Sequence, residues 1–110
     1  MSYDTWMEID TGGEFPARVV DSINSTSNHS PIWAAALGFH FRELEGKTGI
    51  EAAPLLEKAI AFLEDLNNRK DLRALEPGNG WGSLEHATQY LRDIRAWCKE
   101  HPKATIEMSY

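Results

Sequence analysis

The chain has little positive charge, a single cysteine and no long apolar run. Lys and Arg total 11 against 17 Asp and Glu, a formal net charge of −6. Clustered Lys and Arg bind phosphate backbones, so this balance argues against a nucleic-acid partner. The basic cluster at Arg69, Lys70 and Arg73 is interrupted by Asp71 and is typical of a solvated turn.

The lone Cys98 excludes an internal disulfide. No apolar run approaches the roughly 20 residues that span a bilayer, and residues 1–4 lack the basic and apolar regions of a signal peptide. We therefore expect a cytoplasmic protein with no membrane partner.

Diagnostic catalytic and metal-binding patterns are also missing. The histidines at positions 29, 40, 86 and 101 show no i, i+4 pairing and no Cys-x-x-Cys partner, so we expect no metal and no cofactor. The sequence has no Gly-x-Ser-x-Gly elbow. Asp10-Thr11-Gly12 matches the aspartic-protease tripeptide, but that enzyme needs an all-β body. Asp10 is then a turn residue that binds the following amides. We assign no catalytic residue and favour a non-enzyme.

Composition and periodicity predict one domain over residues 1–110, of the α+β class. Alternating residues predict strands over 6–10 and 104–109, which pair with each other, and a short third strand over 18–21. The polar decade 21–30 predicts a loop. Two or three amphipathic helices cover one face of the sheet, and open sheet edges favour a homodimer. Three tryptophans are expected in the core: Trp6, Trp33 and Trp97.

Capping signals place the helices. Ser30 with Pro31 predicts a helix start that Gly38 ends, with a continuation over 39–44 left open. Thr48 and Glu51 resemble a capping box, but Pro54 favours a kink or a start nearer Ala53. The last helix opens at Ser83 and stops at Pro102. Its apolar face is Leu84, Ala87, Leu91, Ile94 and Cys98.

The loop before this last helix carries the strongest local signal for a site. It reads Gly78-Asn79-Gly80-Trp81-Gly82-Ser83, and such a concentration of glycine indicates a backbone with positive φ or a close approach. Two interpretations stay open. Its amides hold an anion at the helix N-terminus while Trp81 stacks on a planar ring, or a tight turn places Trp81 in the core.

Two further polar segments complete the candidate site, which has ten residues in three loops. The leading hypothesis is non-enzymatic binding of a small polar or anionic, nucleotide-like ligand. The alternative is a module that engages a host protein, and the third hypothesis is a small hydrolase that uses Asp10 or His29. The candidate ligand-binding residues are Asp10, Thr11, Asn24, Asn28, His29, Asn79, Gly80, Trp81, Gly82 and Ser83.

Taken together, residues 10–13, 24–31, 77–82 and 101–104 resemble a group of small proteins of actinobacteria and their phages. The resemblance spans most of the chain and is most specific in the Asn-Gly-Trp-Gly loop at 79–82. It implies a cytoplasmic, phage-encoded accessory protein that binds a host protein or sequesters a nucleotide. It brings no catalytic residue with it.

Overall fold

A computed structural model describes residues 2–78 and 82–110 of the chain. Its strands form one antiparallel sheet in the order β2-β1-β3, in which the N-terminal and C-terminal strands pair. The predicted α+β class is confirmed. The elements are β1 (Ser2–Ile9), β2 (Ala17–Thr26), α1 (Ser30–Leu37), α2 (Gly49–Glu64), α3 (Arg69–Arg73), α4 (Leu84–Glu100) and β3 (Thr105–Ser109), with short 3-10 helices at Ser27–His29, Phe41–Leu44 and Leu66–Asn68.

The central strand β1 has one buried face and one open face. Tyr3, Thr5 and Met7 are buried, while the residues between them are partly exposed. Because successive strand residues point to opposite faces, the helices cover only one side of the sheet. The core between them contains Trp33, Phe41, Leu56, Leu91, Ile94 and Ile106.

Trp33 is fully buried, as predicted, and Trp97 is partly buried against the core. The prediction that Trp6 is a core residue is wrong, because Trp6 falls on the open face of the sheet. There the Arg18 guanidinium lies 4.3 Å from its ring centroid, and the indole N–H donates to Glu8 Oε1 at 2.9 Å. The strand alternation therefore takes precedence over the general preference of tryptophan for the interior.

The prediction of a loop over residues 21–30 is wrong. Strand β2 continues to Thr26 and is followed by the 3-10 helix Ser27–His29. Pairing with β1, in which Asp4 faces Asn24 and Ser2 faces Thr26, supplies backbone hydrogen bonds. Those bonds outweigh the local preference of Ser, Asn and Asp for turns.

The helix-start predictions need two corrections. Ser30 is the first residue of α1, not its cap, and His29 takes the cap position without a capping hydrogen bond from its side chain to α1. Gly38 ends α1 with φ +84°, as predicted, and the chain then forms a separate 3-10 helix over Phe41–Leu44. The basic cluster at 69–73 is the helix α3, not a turn.

Helix α2 begins directly after Thr48, so the predicted later start near Ala53 is wrong. The Thr48–Glu51 capping box forms, and Pro54 lies inside the helix. The first turn is also anchored from outside, because the Gly49 amide donates to Ala104 O at 2.9 Å and the Ile50 amide donates to Pro102 O at 3.0 Å. These tertiary bonds hold the turn that Pro54 disfavours.

Helix α4 matches its prediction closely. Ser83 is the N-cap, and all five residues of the predicted apolar face are buried. Its long apolar stripe packs against α2 and, near its N-terminal half, against β2. It is therefore the element that connects the helical layer to the edge of the sheet.

Both outer edges of the sheet are modified. Strand β2 shifts register twice against β1, once between Thr5 and Met7 and again between Met7 and Glu8, and such bulges discourage further strand pairing. On the other side, residues 46–48 bind the edge of β3 through Gly46 N–H to Ile106 O at 2.7 Å and Ile106 N–H to Lys47 O at 2.9 Å. The open-edge argument for a homodimer is correspondingly weaker.

Candidate functional site

His29 is a buried histidine at the junction of β2, α1 and α4. It is 4% exposed, and its ring meets the Trp33 indole edge-on at 5.5 Å. The Ser83 amide donates to its Nε2 at 3.1 Å, and Ser25 Oγ lies 2.7 Å from its Nδ1. Since Nε2 accepts a hydrogen bond, the neutral ring carries its proton on Nδ1, and Nδ1–H donates a hydrogen bond to Ser25 Oγ.

The environment of His29 favours this neutral form. Burial lowers the pKa of His29 from 6.5, and the neighbouring His86 lowers it further. Protonation would also convert Nε2 from an acceptor into a donor facing the Ser83 amide. Both effects hold the ring as a neutral connection between the end of β2 and the start of α4.

Gly82 makes this connection possible. Its φ is +150°, and a Cβ built on it would lie 2.8 Å from His29 Nε2 and 2.9 Å from His29 Cδ2. The backbone therefore approaches the imidazole more closely than any side chain permits. The sequence prediction of a glycine needed for close approach applies at this position, and the structure identifies a histidine as the neighbour.

The N-terminus of α4 has its amides occupied by groups of the protein itself. Besides the Ser83 amide, the Leu84 amide donates to Glu76 Oε2 at 2.8 Å, and the His86 amide donates to Ser83 Oγ at 3.1 Å. Glu76 is held in turn by Arg73 at 3.1 Å. A carboxylate of the chain thus lies where a bound anion would interact with the helix dipole.

Tyr90 fixes α4 against the sheet. Its hydroxyl donates to Ile23 O at 2.9 Å, and it lies 2.8 Å from Thr5 Oγ1 and 3.3 Å from Tyr3 O. Burial raises the pKa of Tyr90 to about 12, so the phenol stays protonated. The ring stacks on Trp33 at 5.3 Å, which joins the sheet, α1 and α4.

A cleft opens between the C-terminal half of β2 and α4. Its volume is about 590 Å³, within the range of small-molecule sites. One wall is the β2 segment with His29, and the other is a polar stripe of α4. The lining residues described are Ile23, Asn24, Ser25, Thr26, His29, Gly82, His86, Gln89, Tyr90 and Asp93.

The structure brings part of the predicted site together. Asn24, His29 and Gly82 line the cleft, Ser83 binds His29, and Asn28 lies in the adjoining 3-10 helix. The predicted residues Asn79, Gly80 and Trp81 lie outside the described residues, so both interpretations of that loop stay predictions.

Asp10 and Thr11 lie elsewhere. They follow β1 in the β1–β2 connection, whereas Asn24 and Thr26 pair with the start of β1. Seven residue steps along the strand separate the two ends by about 23 Å. Asp10 Oδ1 accepts from the Gly12 amide at 2.8 Å, which is the turn role that the sequence indicated. The three polar loops therefore do not converge on this cleft.

Seven of the ten described lining residues are absent from the predicted site, and three of the seven form a polar stripe on α4. His86, Gln89 and Asp93 lie three and four positions apart on α4, which places them on one face beside the predicted apolar stripe. The available signal was this second periodic face of the helix. This face indicates a binding site only once β2 is known to lie opposite it.

The remaining reactive groups are structural. Burial raises the pKa of Cys98 to about 11, which removes its thiolate at neutral pH. Among the described residues, no group of His, Cys, Asp and Glu is arranged to hold a metal ion. No helix in the described part of the chain is long and apolar enough to cross a membrane.

These features define a small α+β protein with a polar cleft beside a buried, neutral histidine. No protein-family model, curated protein or solved structure matches the chain.

Proposed function

We propose that this protein binds a small polar molecule in the cleft between β2 and α4 without transforming it. The observation that carries the proposal is the lining of the cleft, where His86, Gln89 and Asp93 place polar groups beside the apolar surface of Ile23 and Tyr90. A few polar groups around an apolar surface are typical of small-molecule sites.

Rigid support for the walls favours recognition. The hydroxyl of Tyr90 holds α4 to β1 and β2, and His29 holds the start of α4 to the end of β2. Walls that are already held in position lose little entropy when a ligand binds.

The hydrogen bonds of His29 argue against the hydrolase hypothesis. A general base needs a free ring nitrogen within reach of the proton that it removes. In His29, Nε2 accepts from Ser83, and Nδ1 carries the proton that Ser25 accepts. Ser25 and His29 are therefore arranged as acceptor and donor, the reverse of an activated serine.

The test is a thermal-shift screen of nucleosides, nucleotides, amino acids, amines and sugars against three proteins. A ligand that binds only the folded state raises the melting temperature. Gln89→Phe fills the cleft from α4, and Ala96→Phe places the same side chain at an exposed position of α4 outside it. We expect a saturable shift that Gln89→Phe loses and Ala96→Phe retains. Equal shifts in all three proteins, or none, would contradict the proposal.

A second candidate function is engagement of a host protein, which the β1–β2 connection favours. Phe15 is 75% exposed in that connection, and the described molecule is elongated, with extents of 48 × 27 × 19 Å. An exposed aromatic residue in a connecting loop is a common contact point. Phe15→Ser would abolish such binding and leave the small-molecule response unchanged.

The wider expectations stay proposals. Both candidate functions suit the cytoplasmic, phage-encoded accessory protein that the sequence resemblance implies. The proposed homodimer would be refuted by a light-scattering mass of one chain.

A further inference from the structure

We propose that the ligand of the cleft is an organic cation whose protonated amine or guanidinium group binds Asp93. This inference rests on the proposed function, because it names the ligand class of the same cleft.

The first argument is the charge of the lining. Asp93 is the only Asp, Glu, Lys or Arg among the described residues that line the cleft. It is partly buried on α4, and its Oδ1 accepts one hydrogen bond from Gln89 Nε2 at 2.9 Å. Within the described part of the chain it forms no ion pair with Lys, Arg or His. A carboxylate with spare acceptor capacity favours a ligand that brings the missing positive charge.

A second carboxylate reinforces the negative potential. Asp4 Oδ1 accepts from Asn24 Nδ2 at 2.9 Å, which holds the Asn24 side chain on the open face of the sheet. The charge of Asp4 also acts on the Tyr90 hydroxyl at the cleft floor, where it raises the pKa further. Tyr90, which lines the cleft, therefore lies within the influence of a second negative charge.

The third argument is the state of the groups that would bind an anion. The Ser83 and Leu84 amides are taken by His29 and Glu76. Arg92 pairs with Glu64 at 3.1 Å and donates to Gln89 Oε1 at 3.3 Å, and it lines a neighbouring cleft that shares His86 and Gln89 with the first. The two helix amides nearest the cleft are thus already used, and no Lys or Arg is among the described lining residues. This disfavours the anionic option among the polar or anionic ligands that the sequence predicts.

The floor completes the chemistry. Ile23 and Tyr90 supply apolar surface, and about 590 Å³ accommodates a body larger than a bare ammonium ion. A small arylalkyl or alkyl amine satisfies the apolar floor, the carboxylate and the amide groups together.

Three probes with the same ring separate charge from shape: tyramine, its neutral alcohol tyrosol, and the anion 4-hydroxyphenylacetate. Agmatine and spermidine extend the cation set. Titration into ¹⁵N-labelled protein, followed by amide chemical shifts, reports both affinity and location. We expect a cation to shift the amides of residues 86–93 and 23–26, and its matched neutral and anionic analogues to bind more weakly.

The variant Asp93→Asn tests the contact, with Glu100→Gln as the control that removes a carboxylate from the same helix outside the cleft. For an ion pair that is partly exposed, we expect Asp93→Asn to weaken the affinity for the cation roughly fivefold. Glu100→Gln should bind the cation as tightly as the parent protein does. Binding of tyrosol or 4-hydroxyphenylacetate in the cleft with Asp93→Asn unaffected overturns the inference and leaves the proposed function standing. No cleft response to any of the three cations also overturns it, and no cleft response in the wider screen removes both.

Discussion

Replacing Gly82 with alanine should destabilise the protein strongly, because two separate penalties fall on one methyl group. A non-glycine residue in this positive-φ region costs on the order of 1–3 kcal/mol, and φ at Gly82 is +150°. The added Cβ would also lie 2.8 Å from His29 Nε2, and overpacking of this kind costs about 1–3 kcal/mol.

The two terms add to about 2–6 kcal/mol, and local relaxation brings the expected value to about 2–4 kcal/mol. For a domain of this size, that loss lowers the melting temperature by at least about 10 °C. Urea unfolding followed by circular dichroism gives the free energy directly, since a constant slope with denaturant shows that only stability has changed.

The chain contains a matched control four residues away. At Gly78, φ is not positive and no atom of the described residues beyond its chain neighbours lies within 4 Å of a built Cβ, so Gly78→Ala should change stability by less than about 0.5 kcal/mol. A Gly82→Ala variant as stable as Gly78→Ala would refute the reasoning.

A double-mutant cycle separates the two penalties. In a His29→Ala background the steric term disappears and only the backbone term is left, so Gly82→Ala should cost about 1–3 kcal/mol. An unchanged cost in that background would show that the imidazole contact contributes nothing.

Three further predictions concern the same framework. Because the pKa of His29 is lowered in the fold, the unfolded chain binds its proton first. The free energy of unfolding should be highest above pH 6.5 and fall as the pH drops below it. In His29→Gln the melting temperature should therefore depend less on pH between pH 8 and 5.5. Tyr90→Phe removes the hydrogen-bond partner of Thr5 Oγ1, which is fully buried. It should lower the free energy of unfolding in urea by about 1–3 kcal/mol, while Tyr110→Phe, at an exposed position, should cause no measurable change. Gly49→Ala would place a Cβ 2.6 Å from a backbone oxygen of α4 and should lower the melting temperature despite the better helix propensity of alanine; a rise would contradict the packing seen at this glycine.

Much of the fold followed from local patterns. The apolar periodicity of α4, its Ser83 cap and the Gly38 stop for α1 each depend on residues within one or two turns. The alternation of the terminal strands likewise indicated that the two ends meet. These features are encoded over short stretches, so sequence reasoning reaches them.

Predictions failed where a distant partner decides the structure. The stretch 21–26 prefers turns by composition and becomes a strand because β1 pairs with it. Helix α2 begins before Pro54 because the carbonyls of Pro102 and Ala104 bind its first amides. Trp6 lies outside the core because the helices cover the opposite face of the sheet.

The candidate site divides in the same way. The sequence by itself marked Asn24, His29 and Gly82 as candidate site residues, because they lie in a polar segment and a glycine-rich loop. Composition and backbone freedom are local properties. Only the tertiary structure decided that His29 binds the start of α4 and that Asp93 faces the end of β2. It also placed Asp10 beyond one end of β1, about 23 Å from the end that pairs with Thr26. The relations of His29 and Asp93 depend on packing between residues more than fifty positions apart, and no local pattern carries that information.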